Sequence, residues 1–237
     1  MSRVTCHAPA FTLIELLVVI AIMGVLAGML LAVVGGVKKR QYIWNSQAEL
    51  AQIATAIERY KAAYGFYPPS TSKPPATGDP LSMVNQLYFE LEGTTYDPAK
   101  DTYTTLDGSC TIAAANVNNV FPGVGGFMNC TKGAGEDASK ARNFLPDLRP
   151  RQVLVYTNIN TGQDKPIRLL LCSVGGPDAD YPPLGQDLPG LNPWRYNSAT
   201  PTNNPGSYDL WVQLKFGGKT NLICNWSKQV QISNPLP

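Results

Sequence analysis

The sequence predicts an α+β protein in which one long N-terminal helix packs, by its second half, on a small antiparallel β-sheet. Three observations carry that expectation. An apolar run fills Phe11 to Val37, interrupted by one charge, Glu15. A stripe of apolar residues at helical spacing continues it as far as Tyr64. Beyond Tyr64 the chain becomes rich in Pro and Gly, and its apolar residues fall into short alternating runs.

From Leu16 to Val37 no residue is charged, roughly enough to cross a hydrocarbon core of about 30 Å. No small-residue cleavage site follows the run, as it would in a secretory signal peptide. The segment 11–37 is therefore expected to be retained as a transmembrane anchor. Glu15 within it calls for a partner or a function, because a carboxylate in an apolar span is costly. The alternative is a carboxylate near the helix end that reaches the interface. Gly24 and Gly28 lie four apart on one face, a spacing that lets helices approach closely. Flanking charge opposes export: Lys38, Lys39 and Arg40 follow the run and only Arg3 precedes it, which by the positive-inside rule keeps the C-terminal part in the cytoplasm.

In 38–64 the apolar stripe comprises Ile43, Leu50, Ile53, Ile57, Tyr60 and Tyr64. Gly65 then stops the helix, reinforced by Pro68 and Pro69. Taken as one element, 11–64 is about 80 Å long at the helical rise. The globular part follows at 65–237. Its first piece, 69–79, is a Pro-, Ser- and Thr-rich loop. Asp79-Pro80 suits a helix cap and first turn, with Met83, Val84, Leu87, Tyr88 and Leu91 forming a short helix that ends at Gly93. Residues 94–151, with Gly, Asn and Thr throughout, read as a mostly irregular insertion. Strands are expected at Gln152–Tyr156 and Ile167–Val174, then over Tyr208–Phe216, with Gly217-Gly218 closing a hairpin onto Leu222–Trp226.

Cysteine usage divides at the apolar run. Cys6 precedes it, and Cys110, Cys130, Cys172 and Cys224 follow it. Four cysteines in one compartment suit an oxidising environment and allow three pairings. Cys110–Cys130, within one insertion, and Cys172–Cys224, on strands expected to be adjacent, are the favoured pairs. Buried thiols are the alternative.

Residues Ala10-Phe11-Thr12-Leu13-Ile14-Glu15-Leu16-Leu17-Val18-Val19-Ile20-Ala21-Ile22 resemble the class III signal of type IV pilins and type II secretion pseudopilins. The resemblance implies a pilin-like fold and a leader at 1–10 removed by a prepilin peptidase. It further implies cleavage between Ala10 and Phe11, N-methylation of Phe11, and a C-terminal domain carried to the periplasm from a single-pass anchor in the bacterial inner membrane. Ala10 stands where that family usually has Gly. Glu15 is implied to meet the N-terminal amine of a neighbouring subunit in the filament.

Further segments are similar to the major pseudopilin of type II secretion. These are the helix end Glu58 to Pro68, Asn192-Pro193-Trp194-Arg195-Tyr196, Gly206-Ser207-Tyr208-Asp209-Leu210 and Asn225-Trp226. In that family an acidic loop after Tyr-Asp-Leu holds calcium. In this chain Trp211 to Lys219 offers two lysines and no acid, so that site is expected to be lost and no cofactor is expected. Asp178 and Asp180 are the other conceivable calcium ligands, and a solvated turn explains them equally.

Catalysis is not expected. His7 is the one histidine and leaves with the leader, which excludes Ser-His-Asp, Cys-His and histidine-metal chemistry from the mature chain. Asp97, Asp101, Glu136 and Asp137 show no acid–base spacing. With 15% charged residues and a net charge of +2, no strong attraction to nucleic acid is expected. The function implied is that of a structural subunit of a type II secretion pseudopilus. Its implied partners are copies of itself, other pseudopilins, the prepilin peptidase and the inner-membrane assembly platform. A type IV pilus or competence pilin is the alternative within the family. A non-polymerising, membrane-tethered binding domain using 94–151 as its ligand surface is the alternative outside it.

Overall fold

The computed structural model describes residues 13–70, 85–121, 123–132, 140–156, 167–175, 191–216 and 218–232, and the side chains of all these except 30–36 and 156. The chain divides into two compact units, Met1–Tyr42 and Ile43–Pro237. Helix α1, Leu13–Tyr64, begins in the first and ends in the second. The leader at 1–10, Phe11 and the Asp79-Pro80 cap lie outside the described residues.

In the first unit, α1 carries apolar side chains on every face, and they are exposed. Among the described residues, however, no helix is long and apolar enough to cross a membrane. The helix carries Glu15 in its first turn and Lys38, Lys39 and Arg40 within its length. The transmembrane expectation for 11–37 is corrected accordingly. So is the single-pass inner-membrane placement with a periplasmic domain, which depended on that span.

In the second unit, α1 buries one stripe. Ile53, Ala56, Ile57 and Tyr60 are in the core, and Ile43, Leu50 and Tyr64 pack at its edge. The helix ends where Gly65, at φ +84°, donates its N–H to the carbonyl of Lys61, a conformation open to Gly because it lacks a Cβ. A short helix, α2 (Leu87–Glu92), is buried along its whole length. Gly93 terminates it at φ +84°, and a Cβ there would meet the Arg142 carbonyl and Leu106 at 3.0 Å.

Among the described residues, three sheets accompany these helices, where the sequence predicts one. The first contains β1 (Thr94–Asp97), β2 (Thr102–Thr105), β3 (Thr111–Ala113) and β4 (Cys130–Thr131), in the order β3-β2-β1-β4. Its β1–β4 pair is parallel and the others antiparallel. Helix α3, Ala114–Val120, follows β3. The region expected to be irregular thus contains a sheet and a helix. Its strands are Thr-rich, so buried and exposed positions differ little in polarity, and the alternation that marks a strand is invisible in sequence. The second sheet pairs β5 (Val153–Tyr156) with β6 (Ile167–Leu170). The third, ordered β10-β9-β8-β7, is antiparallel and contains β7 (Arg195–Asn197), β8 (Asp209–Phe216), β9 (Lys219–Cys224) and β10 (Ser227–Ile232). Phe216 opposite Lys219 closes the β8–β9 hairpin through two residues, as the Gly217-Gly218 pair predicts.

Among the described residues no disulfide forms: Cys110, Cys130, Cys172 and Cys224 are all buried thiols. Sheet order explains the first expected pair. Cys110 is bonded to Thr105, Thr105 stands opposite Thr94, and Thr94 opposite Cys130. Three strand spacings, about 14 Å, therefore separate Cys110 from Cys130, whereas a disulfide needs Cα atoms about 4.4–6.8 Å apart. In the second expected pair, the Cys172 Sγ lies 3.2 Å from the Ser46 Oγ on α1. Cys224 instead stands opposite Trp211, in a separate cluster with Trp211 and Leu222. Burial pushes the Cys110 thiol up to about 11 and the Cys172 thiol up to about 12, so both are held protonated.

Candidate functional site

The first unit presents a surface of unusual chemistry. Between Leu13 and Met29 the side chains of Leu13, Ile14, Leu16, Leu17, Val18, Val19 and Ile20 are all exposed in succession. Leu13 is 80% and Met23 64% exposed. Helical geometry distributes consecutive residues around the axis, so a run of this kind leaves no polar face. Covering a large aliphatic side chain is worth about 1.5–3 kcal/mol, and a contiguous exposed apolar patch of this kind marks an interaction surface. Gly24 and Gly28 share it, and open space surrounds the position a Cβ would take at each. A neighbouring helix could therefore approach the backbone closely along that line. Glu15 lies in the first turn of α1, where the positive end of the helix dipole favours a carboxylate. Ala10 and Phe11, the expected processing pair, lie outside the described residues.

The second unit is organised by a polar cluster that sequence reasoning did not find. Glu90, on α2, is fully buried. Its carboxylate accepts hydrogen bonds from the Tyr60 hydroxyl on α1 and from the backbone N–H groups of Met128 and Asn129, each at 3.0 Å. Burial raises its carboxyl above the ordinary range, and the two backbone donors oppose that shift. Asn129 completes the cluster. Its Nδ2 donates to the carbonyls of Glu90 and Arg142, and its Oδ1 accepts from the Tyr64 hydroxyl and the Arg142 N–H. The cluster fastens the end of α1 to α2 and to the segment before β4, and it leaves the Asn129 side chain no exposed surface.

Segments singled out in the sequence meet on the third sheet. Tyr196 on β7 stands opposite Leu210 on β8. Asn225 accepts from the Leu210 N–H and donates to the Tyr208 carbonyl, each at 2.9 Å. Trp194 is fully buried, and the Tyr196 hydroxyl donates to the Pro68 carbonyl at 2.7 Å. The ring of Tyr208 packs 5.0 Å from Tyr67 and 5.7 Å from Tyr196. The turn after α1 is thereby clamped by β7 and β8.

The Asp209 carboxylate is occupied by the chain itself. It accepts from the backbone N–H groups of Thr202, Asn203 and Asn204 and from the Asn203 side chain, at 2.8–3.1 Å. Residues 211–216 and 219 form the β8–β9 ladder. Among the described residues, no three His, Cys, Asp or Glu side chains gather to hold a metal. Asp178, Asp180, Glu136 and Asp137 lie outside the description. Asp97 accepts from the N–H groups of Ala99 and Lys100, and Asp101 from the Tyr96 hydroxyl. Both are therefore turn-forming acids.

Residues 9–31 match the family model described as a prokaryotic N-terminal methylation motif. No curated protein and no solved structure matches the chain. The motif is consistent with pilin-like membership and points to pilin-type processing of the N-terminus.

Proposed function

We propose that this chain is a structural subunit of a type II secretion pseudopilus, cut between Ala10 and Phe11, methylated at Phe11, and polymerised through the apolar part of α1. The observation that carries this reading is a coincidence of place. The methylation motif at 9–31 covers the stretch whose apolar side chains are exposed all round. A segment that is both a processing signal and an uncovered apolar surface suits a subunit that finds its cover in other copies. Glu15 meets the methylated amine of a neighbour in this scheme, so that neither charge is left alone among apolar side chains.

The partners are copies of this chain, other pseudopilins, the prepilin peptidase and the secretion assembly platform. The role is mechanical rather than catalytic, in keeping with a mature chain that has no histidine once 1–10 is removed. A pseudopilus is preferred to a pilus because the Pro-Trp, Tyr-Asp-Leu and Asn-Trp segments lie together around β7 and β8. Mass spectrometry of the mature N-terminus tests the processing step. N-methyl-Phe11 is the expected terminus, and an intact Met1 in an assembled fibre contradicts the proposal.

A further inference from the structure

A cleft of about 480 Å³ in the second unit is lined by α2, the turn between β2 and β3, the segment 143–150 and the β5–β6 pair. Glu92 of α2 belongs to its wall and is 6% exposed. Its Oε2 accepts from the Asn143 side-chain amide at 2.9 Å. Among the described residues, this is the one hydrogen bond made to the carboxylate, so Oε1 of a nearly buried acid is left without a protein donor. Oε1 is therefore open, through the cleft, to a donor from outside the chain.

The charges around it have a definite balance. Asp107, in the β2–β3 turn, lies 3.5 Å from the Arg168 guanidinium of β6, which also lies 3.5 Å from the Tyr88 hydroxyl of α2. Arg149 lies exposed at the rim. Burial and the Asp107 charge push the Glu92 carboxyl up to about 7. Asn143 and Arg168 oppose this, Arg168 with less weight than Asp107. Arg168 is thus paired with Asp107, and among the described residues no ion pair reaches Glu92. Leu145, Leu148 and Val153 supply an apolar wall alongside, suited to a methylene stem that carries a charged end.

We propose that this cleft binds an alkylammonium or alkylguanidinium group, the chemistry of a lysine or arginine side chain, with Glu92 as its acceptor and the apolar wall covering the stem. The site is independent of assembly through α1, and it stands or falls separately.

The test uses the full chain in a non-ionic detergent at pH 8, followed by amide chemical-shift changes at Glu92 and Asn143. The probes are Nα-acetyl-lysine methylamide for a protein-borne cation and butylamine for a free amine, with the norleucine and glutamate analogues as controls. Saturable binding of the lysine probe is expected, at least ten-fold tighter than the norleucine analogue. Glu92→Gln should weaken it at least ten-fold. Asp107→Asn should weaken it less, and it serves as a second variant if Glu92→Gln alters the fold, which thermal melting of each variant reports. Lowering the pH from 8 to 6 should also weaken binding, as Glu92 takes up a proton. Preference for the lysine methylamide over butylamine points to a protein partner, and equal binding to a free amine ligand. No saturable binding, preference for the norleucine or glutamate analogue, or binding untouched by Glu92→Gln overturns the proposal.

Discussion

Among the described residues, one helix, α1, supplies both strongly exposed and fully buried apolar side chains. In the first unit, Leu16, Leu17, Val18 and Ile20 each leave more than a third of their surface to water. In the second, Ile53, Ile57 and Tyr60 leave almost none. The first stretch is apolar almost throughout, whereas the second sets polar and charged residues between its apolar ones. Apolar residues on every face cannot all be covered by one neighbour within the chain, whereas a stripe on one face can. Under the proposed function the all-round stretch serves association between molecules, whereas the striped stretch serves folding.

That division can be broken deliberately. The largest effect is expected from Ile57→Asp, which places an unpaired charge in the core and should cost about 4 kcal/mol or more. Thermal melting should show the second unit unfolded or nearly so. Glu90→Leu comes next. It leaves the Tyr60 hydroxyl and the N–H groups of Met128 and Asn129 without an acceptor, a loss of about 3 kcal/mol in denaturant titration.

Glu92 gives a smaller, pH-dependent effect. Its folded value, about 7, lies above the ordinary 4.5, so the folded state holds a proton that the unfolded state has released between those values. Stability should therefore fall as pH rises from about 4.5 through 7 and level off beyond. Glu92→Gln should flatten that slope and raise stability at pH 8 by about 1–3 kcal/mol. The smallest effect is that of a reducing agent. With no disulfide among the four described cysteines, it should leave the melting temperature of the second unit unchanged, and a reductant-sensitive melt would contradict the thiol assignment.

The stripe on α1 was legible because six apolar residues recur at helical spacing, and Gly65 and Gly93 were legible as helix stops. Two members of the buried face were not. Ser46 and Glu49 are polar, and they belong there because Ser46 meets Cys172 while Glu49 accepts from the Ser173 N–H. The sheet at β1–β4 was hidden by its threonines, which suit a strand on either face. Glu90 and Asn129 were hidden for another reason. Their bonds join positions 39 apart in sequence, and no local spacing announces such a meeting. The cysteine pairs failed likewise, since sheet order rather than sequence distance decides which strands adjoin. Of the candidate assembly site, the apolar run and its motif were legible, whereas the exposure of its side chains on every face required the structure.

The most direct test of the division is sedimentation velocity of the full-length chain beside Ile20→Asp and Ile57→Asp, with the thermal melt of each recorded. Ile20→Asp should abolish or sharply reduce association while leaving the melt of the second unit unchanged, and Ile57→Asp should destroy that melt. An Ile20→Asp chain that associates as fully as the parent would contradict the account.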